Sequence, residues 1–168
     1  DQKFSQRVYG GVSYTYRDLN VPYEAFDAAT FTSSIENTNW NENVFRTYLF
    51  WAPHDWVSFT AEYMRERLDR EKDLSLGSEN ATTHLLPLGI NLFHPSGLSF
   101  SLKATYIDQE GKYERKNNVG VFEDGEDDFW VFDAAIRYRL PKRYGFVTAG
   151  VMNLFDQEFE YFDSDPDN

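Results

Sequence analysis

From Asp128 to Leu140 the chain places Trp130, Phe132, Ala134, Ile136, Tyr138 and Leu140 at one parity. Asp133, Arg137 and Arg139 fall at the other. Apolar residues recurring every second position specify a β-strand with one dry face, not a helix. A second strand-like run, Tyr144–Phe155, follows across the short polar turn Pro141-Lys142-Arg143. The central question is whether that apolar face packs against a second sheet or against lipid.

The same alternation recurs upstream. Residues 4–17 set Val8, Gly10, Val12, Tyr14 and Tyr16 against Arg7, Ser13, Thr15 and Arg17. Residues 43–51 carry bulky residues at both parities, so their facing is open; with Arg46 on a wet face, Phe45, Thr47, Leu49 and Trp51 would stand on the other. Residues 56–68 oppose Val57, Phe59, Ala61 and Tyr63 to Ser58, Thr60, Glu62 and Glu66. Residues 83–94 carry Leu86, Leu88, Ile90 and Leu92 on one side, with Pro87 marking a bulge or bend because it lacks a ladder donor. Residues 98–108 oppose Leu98, Phe100, Leu102, Ala104 and Tyr106 to Ser99, Ser101, Lys103 and Thr105. The reading is therefore all-β, with about seven antiparallel strands in sequence order.

The connections alternate in length. Residues 18–42, 69–82, 109–127 and the tail 156–168 read as long loops, and 52–55, 95–97 and 141–143 as short turns. In an up-and-down meander successive connections lie at opposite ends, so all long loops gather at one end. Bacterial outer-membrane barrels have this asymmetry, with short periplasmic turns and long extracellular loops. Several runs also approach the roughly 9–11 residues that a tilted membrane-crossing strand needs, against a mode of about 5–6 in soluble sheets. The expectation is a transmembrane up-and-down β-barrel in the bacterial outer membrane, of which residues 1–168 are one partial domain. An odd strand count and the loop-like tail lead us to expect further strands, either from the same protein or from a separate chain.

Composition narrows the function. A net charge of -12 argues against nucleic acid as a partner. The absence of cysteine removes thiolate and disulfide chemistry. Aromatics make up 18% of the residues, and Trp51, Trp56, Phe93, Phe100, Tyr138 and Tyr144 cluster near the short turns, where an aromatic girdle would meet the lipid headgroups. The lipid bilayer is the expected partner. The rival account is a soluble β-domain that binds carbohydrate or a protein through its loops.

Gly150-Val151-Met152-Asn153-Leu154-Phe155-Asp156, with Phe159 beyond it, resembles the penultimate-strand signature of outer-membrane TonB-dependent receptors. Asn153, Leu154, Phe155 and Asp156 carry that resemblance. It implies a large barrel, active uptake of a solute, and a periplasmic energy-coupling partner. The family's plug and coupling segment are not found among these residues. A passive porin and a channel exporting polysaccharide or protein remain alternatives. On this reading the motif is the exit of the last strand into an extracellular loop, with one closing strand to follow.

Arg46, Glu62, Glu66, Lys103, Asp133, Arg137 and Arg139 are the candidate lumen lining. Glu123, Asp124, Glu126, Asp127 and Asp128 could bring oxygen ligands to a Ca²⁺ ion, although their spacing is not that of an EF-hand and a solvated extracellular loop is the favoured reading. Asp163, Asp165 and Asp167 invite the same comparison. His54, His84 and His94 are too scattered for a metal site, and His84 with Ser78 and Asp108 lacks a nucleophile motif. No catalytic residue and no other cofactor is expected.

Overall fold

The computed structural model describes residues 1–27, 29–70, 78–114 and 122–158. These form one antiparallel sheet of eight strands in strict sequence order, β1 to β8. The strands are β1 (Gln2–Lys3), β2 (Val8–Asp27), β3 (Thr32–His54), β4 (Val57–Arg70), β5 (Ser78–Phe93), β6 (Leu98–Glu114), β7 (Phe122–Arg139) and β8 (Phe146–Val151). No α-helix occurs among the described residues, and Pro141–Arg143 is a single 3-10 turn. The sheet is all-β and up-and-down, and it is not closed.

The strands outrun their apolar patterns. β2 and β3 are 20 and 23 residues long, so most of 18–42 is paired strand rather than loop. Their ladder continues from Val8↔Trp51 to Asp27↔Thr32. Likewise β6 reaches Glu114 and β7 begins at Phe122, which shortens the expected loop at 109–127. β4 and β5 extend to Arg70 and from Ser78, leaving 71–77 of the loop expected at 69–82 outside the described residues. β3 also claims residues 52–54 of the turn expected at 52–55. In the tail, 159–168 lie outside the described residues. β1, pairing Gln2↔Gly10 and Lys3↔Tyr9, is an eighth strand that the alternation does not reveal.

Cross-strand partners lie on the same face of a sheet, so register assigns every residue a side. One side gathers Val12, Leu49, Phe59, Leu88, Phe100 and Ile136 with their neighbours, forming an apolar belt over β2 to β8. The belt is solvent-exposed: Val12 is 68% and Ile136 47% accessible. On β6 it runs from Leu98 to Tyr106, about 26 Å along the strand at about 3.3 Å per residue. At the tilt of about 35–45° usual in barrels this spans a height of about 20 Å, most of the roughly 25 Å apolar band of outer-membrane proteins.

The other side is polar, and it is the crowded one. Thr38, Ser58, Arg70, Thr83, Thr105, Gln109, Tyr113 and Phe129 are all buried and all stand on it, whereas on the belt side only Gly10 and Val57 are buried among the described residues. A twisted sheet that coils crowds the side chains on its concave face. The polar face is therefore the inner one, and the apolar belt is convex.

Short hairpins close the lower end. His94 N–H donates to Leu98 O at 2.8 Å and Gly97 N–H to His94 O at 3.0 Å. Gly97 has φ +92°, and a Cβ there would sit 3.1 Å from Arg139 O. Gly97→Ala is expected to destabilise the folded sheet by about 1 kcal/mol or more, read as a lower midpoint in denaturant unfolding.

Candidate inner-face site

All seven expected lumen residues stand on the inner face. Register places Arg46, Glu62 and Glu66 on β3 and β4, Lys103 on β6, and Asp133, Arg137 and Arg139 on β7 along that single side. Parity alone produces this result. Every member is an odd number of residues from a belt position on its own strand.

Four of the charges are tied locally. Arg46 donates from Nε to Glu62 Oε1 at 2.6 Å and from its Nη2 to Glu62 Oε2 at 2.9 Å. This forked pair fixes both side chains across the β3–β4 ladder. Asp133 faces Lys103 in register, but its Oδ1 accepts the backbone N–H of Asn153 at 3.1 Å. Arg137 donates from Nε to Thr148 Oγ1 at 3.3 Å and lies 5.7 Å from the Phe146 ring centre.

Pro87, expected to mark a bulge or bend, interrupts the β4–β5 ladder without shifting its register. The β4–β5 ladder lacks the pairs that would bring Glu62 and Tyr63 opposite Pro87 and Leu86, although the register is unchanged on either side. A hollow of about 420 Å³ lies at this gap, with Tyr48, Phe50, Thr60, Glu62, Pro87 and Lys103 among its lining residues.

Beyond the belt, the inner face carries a second group that the sequence reading missed. Arg70 lies over the Trp40 ring at 4.1 Å, and its burial holds the guanidinium pKa below the ordinary value. Gln109 donates from Nε2 to Thr83 Oγ1 at 3.0 Å, with Gln109 only 3% exposed. The signal was the continued parity of β3 to β6, masked because both faces of the strand extensions are polar.

The family-like motif is ordered differently from expectation. β8 ends at Val151, opposite Ala134, and Asn153–Asp156 form a tight turn at the height of the belt. Leu154 N–H donates to Phe132 O at 2.7 Å, and Asp156 N–H to Asn153 O at 2.8 Å. Asn153 accepts from Gln157 N–H and donates from Nδ2 to Gln157 O, both at 3.0 Å. Phe155 packs edge-on against Phe132, ring centres 5.1 Å apart. The motif therefore leaves the sheet within the belt, not at an extracellular exit. β8 is shorter than the run 144–155 because this turn bends the chain away.

The five acids near the start of β7 are strand residues, and strand alternation divides them. Asp124, Glu126 and Asp128 share the convex side, and Glu123 and Asp127 the inner one. Among the described residues no group of three or more His, Asp or Glu side chains is arranged to hold a metal ion. Asp163, Asp165 and Asp167 lie outside the described residues.

The histidines are held separately. His94 Nδ1 bonds Ser96 Oγ at 2.9 Å within its turn, His54 packs on Trp56 at 5.4 Å, and His84 Nδ1 bonds Tyr63 Oη at 2.7 Å. Asp108 faces His84 in register, while the Ser78 side chain lies outside the described residues.

The aromatic rows bound the belt. At the short-turn end Trp51, Phe100 and Tyr138 stand on the convex face, but Phe93 points to the inner one, opposite Ser99. At the opposite end a row of tyrosines emerges that the sequence reading had not singled out. Tyr14 donates to Asn43 Oδ1 at 2.7 Å, Tyr16 to Asn41 Oδ1 at 2.9 Å and Tyr106 to Asp128 Oδ2 at 3.4 Å, and Tyr63 meets His84. Each hydroxyl reaches a polar residue beyond the belt, leaving its ring against the apolar side.

No family model, curated protein or solved structure matches this chain. The class that fold and faces define is an antiparallel up-and-down β-sheet of the barrel type.

Proposed function

We propose that this chain is part of a bacterial outer-membrane β-barrel that carries a solute across the membrane, with TonB-dependent uptake as its mode. The observation that carries the reading is the uninterrupted exposed apolar belt, bordered by aromatic rows and backed by a polar inner face. An exposed apolar surface of this extent has no counterpart on an ordinary soluble monomer. In lipid it is the solvated surface, and the polar face lines a water-filled interior. The Asn153-Leu154-Phe155-Asp156 turn adds the family likeness that favours uptake.

The mechanism rests on the inner face. Arg46, Glu62, Lys103, Arg137 and Arg139 give the interior fixed charge of both signs, which sets the potential met by a passing solute. Further strands close the wall, since open edges in hydrocarbon leave backbone groups unsatisfied. A periplasmic coupling partner supplies the energy for gating.

The test uses the full-length protein. Extraction should require detergent, and migration on gels should shift on heating. Cells lacking the protein should lose energy-dependent accumulation of a solute. Solubility without detergent would overturn the membrane reading. Solute flux that persists without membrane energisation would replace uptake with passive permeation.

A further inference from the structure

We propose that Arg65 and Arg67 on the convex face seat the phosphate of an outer-leaflet lipid headgroup. The proposal rests on the membrane reading above and adds a specific lipid contact to it.

On β4 the belt ends at Tyr63, and Arg65 and Arg67 follow on the same side. Both are exposed, and alternate strand positions stand only about 7 Å apart. Two like charges so placed repel unless an anion lies between them. Within β3 to β5 the surroundings supply little counter-charge, the next acids in the same rows being Asp108 and Glu110 on β6. Arg65 is flanked in register by Phe45 and His84, and Arg67 by Asn43 and Thr82. Asp69, bonded to Arg67 at 3.3 Å, is the only acid adjacent to the pair on this face of β3 to β5 among the described residues. That ion pair is open to solvent, so a stronger anion can displace it.

The neighbours add donors. Asn43 Oδ1 already accepts from Tyr14, which leaves its amide N–H groups for another acceptor. Thr82 offers a hydroxyl. His84 is held through Nδ1 by Tyr63, and when that hydroxyl donates, Nε2 carries the proton.

Position identifies the occupant. The tyrosine row marks the boundary of the belt, and the arginines stand just past it on the lipid-facing side, at headgroup height. Guanidinium groups match phosphate oxygens in forked geometry, and two of them suit a phosphomonoester dianion. The seat is confined to β3–β5, because β6 and β7 present Asp108 opposite Asp128 and Glu110 opposite Glu126 at the same end.

The experiment titrates the full-length protein in detergent micelles with phosphatidic acid and with diacylglycerol, and counts bound lipid by native mass spectrometry. Phosphatidic acid should bind more tightly. Arg65→Gln with Arg67→Gln should weaken it by about tenfold per arginine, while the lysine pair retains part of the affinity. Asp69→Asn should tighten it. Retained heat-modifiable migration shows that each variant is folded. Equal binding of the two lipids, or unchanged binding by the folded double variant, overturns the proposal. Inorganic phosphate that binds as tightly as phosphatidic acid overturns the lipid as occupant. A protein that stays in solution without detergent sinks the membrane reading itself, whereas an inserted protein without phosphate preference sinks only this inference.

Discussion

Arginine in place of Leu102 is expected to weaken folding into a bilayer by about 2–4 kcal/mol, while arginine at adjacent Ser101 costs about 1 kcal/mol or less. The two positions differ by one residue and by the face they occupy. Leu102 lies between Ile90 and Ala134 at the centre of the convex belt. A guanidinium there has only hydrocarbon around it if the belt faces lipid. Ser101 lies between Asn91 and Ala135 on the inner face, where Lys103 and Arg137 already stand in water. Leu98 provides the depth control, since it closes the belt at the short-turn end. Arginine at Leu98 should cost only about 0–1 kcal/mol, because a long side chain near the interface reaches water. Equilibrium unfolding of the full-length protein in lipid vesicles measures all three. Equal costs at Leu102 and Ser101 would mean that the convex face is not in lipid.

The contrast between these neighbours was legible from the alternation itself. Within the belt, one dry face and one wet face make parity decisive, and a slip of one residue would reverse every side chain. Hence Arg46, Glu62, Lys103 and Asp133 share the inner face as the alternation implied. Outside the belt both faces are polar and the signal disappears. Asn37, Thr38, Asn39 and Asn41 read as loop, yet they pair along β2. Side-chain bonds such as Asn20 Nδ2 to Asn39 Oδ1 at 2.9 Å, and Tyr23 Oη to Glu36 Oε2 at 2.9 Å, support that extension without any apolar period. Cross-strand pairing of this kind depends on which residues meet, and one strand's sequence does not contain that information. The outward tyrosine row was hidden for the same reason. Its meaning lies in where each hydroxyl points, not in its spacing.

Asp133 shows the limit of parity as a guide to role, and the second large effect tests it. Its position made it a lumen charge, but its carboxylate accepts the Asn153 N–H. Asn153 has φ 48°, a left-handed conformation that Asn tolerates better than most residues. Asn153→Ala should therefore lose both side-chain bonds to Gln157 and gain backbone strain, costing about 1–3 kcal/mol. Asp133→Ala removes the acceptor from the same turn and should cost about 1–2 kcal/mol. Because the two residues anchor one turn, the double variant should fall short of the sum by about 0.5–1.5 kcal/mol. Asp133→Asn keeps an acceptor oxygen and should retain most of the stability while removing the charge. Vesicle unfolding of the four variants separates the roles. If Asp133 acts only as lumen charge, its alanine and asparagine variants will have equal stability and the cycle will show no coupling. The turn that carries the family likeness would then be held to the sheet by Leu154 N–H on Phe132 O and by Phe155 against Phe132, and within itself by the Asn153 bonds to Asp156 and Gln157.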